Sequence, residues 1–449
     1  MTWLLNILSP APFKPEITDS ETVDKDYRYW RVRIFYSMFV GYALYYVTRK
    51  SFTFVMPALA SDLQFDKGEL GLLGTIFAIT YGISKFASGV IGDRTNPRYF
   101  MALGLFMTGV VNILFGLSST TLLFALFWGL NGWFQGFGWP PCARYLTHWY
   151  SHTERGSWWS SWNISHNVGA FSIPWLAGFL IYYFDWRWGM YIPGVICILG
   201  ALFLVNRLRD TPQSLGLPPI EKYRDDYPEE VVKNQPEEEL SVKEIFSTYI
   251  LKNRYLWILA VAYFFVYIVR QGVNDWTALY LVEEKGYSSI GANGSVSMFE
   301  IGGIFGTLAA GWSSDYFFGA KRGPVNLLYA VGILAALFTF WNLSTSDPLL
   351  DSILIFIIGF TVFGPQMMIG MHAAELCPKN AAATATGFVG TFAYLGSAIA
   401  GYPLGVVTQI WGWEGFFWFM VVCASLSILL LFPLWSVTKA SETKLPASA

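Results

Sequence analysis

The sequence predicts an all-α membrane protein with twelve transmembrane helices in two pseudo-symmetric six-helix halves, and three observations carry that prediction. Of its 449 residues, 54% are hydrophobic and only 13% charged, about half the ~25% charge of a soluble globular chain. Charge-free runs recur at the length of a bilayer crossing, ~20 apolar residues each. Polar landmarks of the first half return in the second at a near-constant offset. The 20 Trp, 25 Tyr and 37 Phe suit a chain with many membrane–water interfaces. These figures exclude a soluble enzyme, a nucleic-acid-binding protein and a disordered chain. The net charge of −2 carries no message about acidic or basic partners.

The N-terminal segment, Met1 to Leu8 ahead of Ser9-Pro10, lacks a basic region and is too short for a signal-peptide core. The first true span therefore inserts the protein. Spans are expected at roughly 34–60 and 70–92, and two more within 99–143, a 45-residue stretch without Asp, Glu, Lys or Arg whose turn is Ser118-Ser119-Thr120. Further spans fall at 156–184, 188–206, 254–282, 287–313, 323–346, 352–374, 381–413 and 415–438. Between the halves, 207–253 is charged, Pro-containing and acidic at Glu237-Glu238-Glu239, and reads as a solvated connection. The domains are thus 1–206, the connection 207–253, and 254–449. With the N-terminus inside, inner segments hold 22 Lys and Arg and the opposite loops only Lys67, Arg187 and Lys285. The positive-inside rule then puts both termini in the cytoplasm. Cys142, Cys197, Cys377 and Cys423 show no paired spacing for metal or disulfide chemistry and read as buried thiols.

The halves repeat each other. Tyr42-x3-Tyr46-x2-Arg49 recurs as Tyr263-x3-Tyr267-x2-Arg270, offset by 221 at all three positions. The loop Gly89-Val90-Ile91-Gly92-Asp93-Arg94-Thr95-Asn96-Pro97-Arg98 has a partner in Gly311-Trp312-Ser313-Ser314-Asp315 with Lys321-Arg322, and Asp93 and Asp315 are offset by 222. A six-plus-six duplication with this loop signature is the pattern of the major facilitator fold, whose substrate lies near the midplane between halves. Arg49 and Arg270 each fall near the middle of a span, where an Arg costs ~2.5–3.5 kcal/mol on the insertion scale. Each shares a helix face with the Tyr residues three and seven positions before it. A guanidinium matches phosphate oxygens in geometry and cannot shed its charge. The expected ligand is a small phosphate-bearing anion. The alternative is that each Arg pairs with a carboxylate such as Asp275 or Glu300.

Lys85, in Tyr81-Gly82-Ile83-Ser84-Lys85, either adds a third positive charge or snorkels to the interface. Lys50 points about 100° away from Arg49 and is assigned a structural role. His166, in Trp162-Asn163-Ile164-Ser165-His166-Asn167, is a packing residue or faces the cavity, where it would tune affinity for monoanionic against dianionic phosphate. His148 and His152 are placed in a loop. Asp275 and Glu300 hold Arg270, gate the cavity, or form structural ion pairs. No zinc spacing and no nucleophile–base pair can be assembled, so no metal, cofactor or enzyme chemistry is expected. Gly136-Phe137-Gly138-Trp139-Pro140-Pro141 and Phe363-Gly364-Pro365 offer helix breaks in the two halves.

Five blocks together resemble the organophosphate:phosphate antiporters. They are Tyr45-Tyr46-Val47-Thr48-Arg49-Lys50, Gly138-Trp139-Pro140-Pro141-Cys142, Trp162 to Asn167, Asp210-Thr211-Pro212-Gln213-Ser214, and Phe363-Gly364-Pro365-Gln366-Met367-Met368-Ile369-Gly370. The similarity runs from about Tyr27 to Val437. It implies a bacterial inner-membrane protein, working as a monomer, that exchanges an organic phosphate for inorganic phosphate by alternating access. It implies that Arg49 and Arg270 grip the phosphate with help from Lys85 and His166. Tyr42, Tyr46, Trp139, Asn163, Tyr267 and Tyr394 would line the cavity, and Asp93, Arg94, Asp275, Glu300 and Asp315 would serve as gating or ion-pair residues. Residues 270–276 and 385–396 most resemble the glucose-6-phosphate branch. The main hexose-phosphate carriers have an Asp and a Lys where this chain has Thr386 and Val389. Three readings follow: a glucose-6-phosphate:phosphate antiporter, a glucose-6-phosphate sensor that signals to a membrane histidine kinase, and a glycerol-3-phosphate antiporter. The first is preferred.

Overall fold

The computed structural model describes residues 8–92, 95–226, 245–319, 321–343, 347–377 and 379–437. Among these, all regular structure is helical. The first six spans are built from α1 (Ser20–Asp62), α2 (Lys67–Gly92), α3 (Pro97–Gly116), α4 (Thr121–Gln135), α5 (Trp139–Trp149), α6 (His152–Tyr183) and α7 (Trp188–Arg207). A short α8 (Ile220–Arg224) follows. The remaining six are α9 (Arg254–Glu283), α10 (Ser289–Phe318), α11 (Arg322–Leu343), α12 (Pro348–Glu375), α13 (Lys379–Ile399) and α14 (Tyr402–Leu431). With α4 and α5 counted as one broken span, the described residues contain the twelve expected crossings. Helix starts carry the expected chemistry. Asn96, Thr120, Asn253, Ser288 and Asp347 each accept a backbone N–H of the first turn, and Pro97 and Pro348 occupy a position whose N–H would be unsatisfied anyway.

Two boundaries differ from the sequence expectation. The break between the last two spans lies at Ala400–Gly401, with Pro403 in the first turn of α14. Glu414 falls inside α14, which passes through a kink at Gly412, where φ is +66°. His148 ends α5 rather than lying in a loop, and His152 opens α6.

The described chain forms two compact units, one of residues up to 55 with 80–180 and 184–237, the other of 56–79, 181–183 and 238 onward. In the first, the N-terminal arm pairs with the segment after α7. Lys14 and Ile17 donate backbone N–H groups to Gln213 O (3.0 Å) and Gly216 O (2.8 Å), and Tyr27 stacks on Tyr223 at 4.0 Å. Leu208, Leu217 and Ile220 are buried there. The beginning of the stretch expected to be a solvated connection is therefore packed, because its apolar residues cap the ends of the first helices. Arg31 is sandwiched against the Tyr150 and Trp158 rings and paired with Glu154 at 2.5 Å. Arg224 reaches the same carboxylate at 3.3 Å.

In the second unit, α10 and α12 make the closest seam. A Cβ at Gly302, Gly306 or Gly359 would overlap the carbonyls of Phe356, Phe360 and Phe299 respectively, so only glycine lets these backbones meet. Residues 56–79 pack on α9, α13 and α14. Lys67 pairs with Glu283 at 2.9 Å and lies over the Trp413 ring, and Thr75 Oγ1 donates to Ala398 O at 2.7 Å while accepting from Tyr402 N.

Candidate functional site

Each unit holds one intramembrane arginine in an aromatic setting. In the first unit, the Arg49 guanidinium lies over Tyr46 of its own helix at 4.3 Å and over Tyr81 of α2 at 4.5 Å. Its Nε donates to Gln135 Oε1 of α4 at 3.1 Å. The Gln135 amide is fixed in turn, because its Nε2 donates to Tyr45 O (3.0 Å), Thr48 Oγ1 (3.1 Å) and Asn131 Oδ1 (3.2 Å). With its donors committed to three acceptors, only the carbonyl oxygen can face the guanidinium. The network continues inward. Asn131 Nδ2 donates to Thr48 O and Asn112 Oδ1, Ser51 donates to Asn112 Oδ1 at 2.9 Å, and Asn112 Nδ2 donates to Met190 O of α7 at 2.8 Å. Four helices thus reach one charged side chain through a network of neutral amides.

An aromatic row extends from Arg49. Tyr46 meets Tyr42 (5.7 Å) and His166 (5.4 Å), Tyr42 meets Trp162 (4.8 Å), Trp162 meets Trp159 (6.1 Å), and Trp159 meets Trp139 (5.9 Å). Lys85 Nζ lies 5.7 Å from the Trp139 ring centre. His166 Nδ1 donates to Asn163 O on its own helix, which leaves Nε2 as the ring atom turned outward from that bond. Asn163 is exposed on α6. Lys50 is buried.

The second unit mirrors the arrangement with different partners. Arg270 lies over Tyr267 (5.4 Å) and over Phe363 of α12 (5.0 Å). Tyr267 meets Tyr263 at 4.8 Å and Tyr394 of α13 at 6.3 Å, and the Tyr263 hydroxyl donates to Gln366 O at 2.7 Å. One turn along α9, Gln271 Nε2 donates to Asp275 Oδ2. Glu300 is buried on α10, and Asn274 is buried with Nδ2 unsatisfied. Asp93 and Arg94, and the side chain of Asp315, lie outside the described residues.

Sequence reasoning missed Tyr81, Phe363 and Trp159 as neighbours of the arginine row, and it did not pair Gln135 with Arg49. Tyr81 had a usable signal, one turn before Lys85 on the same face. Gln135 had another, as one of three buried amides in a charge-free stretch. Among the described residues, no cluster of three or more His, Cys, Asp or Glu is placed to hold a metal ion. All four cysteines are buried, and burial pushes the Cys377 thiol, in the turn after α12, up to about 11.

The comparisons with known proteins agree with this architecture. Residues 38–401 match the Major Facilitator Superfamily, a family of transporters rather than enzymes. A "Probable hexose phosphate transport protein" of Chlamydia pneumoniae is 57% identical over 439 residues, 96% of each chain. The "Membrane sensor protein UhpC" of Salmonella typhimurium is 48% identical over 440 residues, 98% of this chain and 99% of its own. Among solved structures, a bacterial homolog of the human lysosomal transporter Spinster, inward-facing and unoccupied, aligns with a TM-score of 0.74 at 17% identity, covering 90% of this chain and 96% of that one. That likeness speaks to the fold alone. With a family match across most of its length and relatives this similar end to end, the chain belongs to the Major Facilitator Superfamily, in its organophosphate:phosphate antiporter branch.

Proposed function

We propose that the protein carries a hexose 6-phosphate, glucose 6-phosphate in particular, across the membrane in exchange for inorganic phosphate by alternating access. The observation that carries this reading is Arg49 held through Gln135 by neutral amides, with its counterpart Arg270 at the matching position of the sequence repeat. The relative that is 57% identical, a probable hexose phosphate transport protein, supports the sugar. In the proposed cycle the two guanidiniums grip the phosphate from the two halves. Lys85 and His166 assist, and Tyr42, Tyr46, Trp139, Asn163, Tyr267 and Tyr394 line the path. Without an anion the like charges repel. A bound phosphate attracts both, so crossing is easy only when loaded. Asp275, Glu300, Asp93, Arg94 and Asp315 serve as ion-pair and gating groups. The Lys and Arg distribution supports an inner membrane protein with both termini in the cytoplasm, and it acts as a monomer.

Liposomes loaded with phosphate and given labelled glucose 6-phosphate test the exchange. Uptake is expected only with phosphate inside, and uptake into phosphate-free vesicles would overturn obligatory exchange. Arg49→Lys and Arg270→Lys are expected to cripple it, since a point charge replaces a bidentate fork; full activity in both would remove the arginines from the site. A second reading is favoured by the 48% identity to a membrane sensor protein: the same site would bind glucose 6-phosphate and signal to a membrane histidine kinase. Binding without flux would select it.

A further inference from the structure

Three arginines of the first unit converge on the carbonyl end of α7: Arg33 on α1, Arg98 in the first turn of α3 and Arg209 just past α7 itself. Arg33 donates from Nε to Arg207 O and from Nη2 to Asn206 O, each at 3.2 Å, and from Nη1 to the Tyr29 hydroxyl. Arg98 Nε donates to Val205 O at 2.6 Å. Arg209 Nη1 donates to Asn206 O (3.0 Å) and Leu208 O (2.6 Å). Two of the three share the Trp30 ring, whose centre is 5.0 Å from the guanidinium carbon of Arg33 and of Arg209.

These bonds satisfy carbonyls that a helix leaves open in its last turn, but capping does not account for so much charge. The carbonyl end of a helix carries about half a negative charge, against three full positive ones, with Arg207 a fourth at the same helix end. Among the described residues none of the three pairs with a carboxylate. Asp210, next to Arg209 in sequence, is buried and committed to Arg144 at 3.1 Å. In the second unit the arginine that opens α11, Arg322, does hold a carboxylate, that of Glu375 at 3.1 Å. Burial, and then the charges of Arg98 and Arg33, hold the Arg209 guanidinium below its usual range, as expected of cations crowded without a counter-ion. Each guanidinium has five N–H donors, and Arg98 spends only Nε on the helix end, so its terminal nitrogens can take up an anion.

The cluster borders an apolar surface. Within about two turns of it along the two helices, Tyr36 and Val40 on α1 and Leu199 and Leu202 on α7 are exposed, and Tyr36 meets Phe203 at 6.2 Å. In a bilayer-spanning chain such a strip faces acyl chains, and Trp beside it belongs at the headgroup level. A ligand lying across both has an anionic head and an apolar tail. We infer that Arg33, Arg98 and Arg209 form a site for the headgroup of an anionic phospholipid whose chains run along the α1–α7 strip. This is independent of what the protein carries.

Native mass spectrometry of the purified full chain in neutral detergent, titrated with phosphatidylglycerol, counts the bound lipid; phosphatidylcholine is the comparison and inorganic phosphate the competitor. One interfacial cation is worth about fivefold in affinity for an anionic lipid. Arg98→Gln and Arg209→Gln are each expected to weaken phosphatidylglycerol by about that factor and to leave phosphatidylcholine unchanged. Asn206→Asp keeps every arginine and every carbonyl bond, adds a carboxylate beside them, and is expected to do the same; it stands in for an arginine variant that does not purify. Arg28→Gln, at an exposed cation of α1 paired with Asp24, is expected to change nothing. Equal affinity for the two lipids, wild-type affinity in the variants of Arg98, Arg209 and Asn206, or an equal loss with Arg28→Gln would each overturn the inference. So would displacement of the lipid by an equal concentration of inorganic phosphate, which would make the cluster a site for the free anion.

Discussion

Replacing Gln135 tests whether Arg49 must be held in place to bind phosphate. Gln135 is 1% exposed, and its amide has no freedom to turn, with Nε2 on Tyr45 O, Thr48 Oγ1 and Asn131 Oδ1 and Oε1 on Arg49 Nε. Gln135→Leu keeps most of the volume and deletes a hydrogen bond to a charged group, about 1.5–3 kcal/mol of interaction. Only part of this reaches the ligand. The released arginine regains up to about 2 kcal/mol of rotamer entropy, which phosphate must then remove. A penalty of about 1.4 kcal/mol corresponds to an affinity about tenfold weaker. Gln135→Glu keeps the shape but sets a carboxylate against the guanidinium, an attraction of about 4 kcal/mol at short range near a protein surface, and so is expected to weaken phosphate more than the leucine does. Calorimetry of inorganic phosphate binding to purified protein reads both variants without invoking transport, and a thermal melt confirms that each is folded. Wild-type affinity in both would refute the reasoning that an oriented Arg49 makes the phosphate contact.

Three further outcomes follow from other parts of the molecule. Burial raises the carboxyl pKa of Glu154, but Arg31, Ser151 N and Arg224 outweigh it and hold the group below its usual 4.5. Its stabilising contribution is therefore full above that value and is lost as pH falls through the lower folded pKa. The melting-temperature gap between wild type and Glu154→Gln should accordingly shrink on acidification, and a constant gap would contradict the pairing. Gly306→Ala sets a methyl group against Phe360 O and should cost about 1–3 kcal/mol, read as a lower melting temperature in detergent. Gly387→Ala, where a Cβ meets nothing within 4 Å, should be neutral or stabilising by about 0.5–1 kcal/mol; equal effects at the two positions would deny the close seam.

The paired arginines were legible in one dimension. A charge in an apolar run and a repeat offset are both sequence patterns, and a Tyr three residues before an Arg on a helix must lie near it. The partnership of Arg49 with Gln135 was not legible, because the two are 86 positions apart and meet only once the rotation of α4 against α1 is set. The packing of 208–226 was hidden by its charges, since Leu208, Leu217 and Ile220 are spaced irregularly among them. The break at Gly401 was missed because Glu414 looked like a boundary. A single carboxylate can stay within a helix, whereas a glycine at the N-cap two residues before a first-turn proline resets the chain direction.

The glycine-to-carbonyl seam between α10 and α12 has a bearing on how this protein can move. Where main chains touch without side chains between them, sliding one rod along the other would drive carbonyls into α-carbons at every step. The pair must therefore travel as a single strut, and any bending that the proposed cycle demands has to be found outside it, with the kink at Gly412 one place where the backbone already departs from a straight helix.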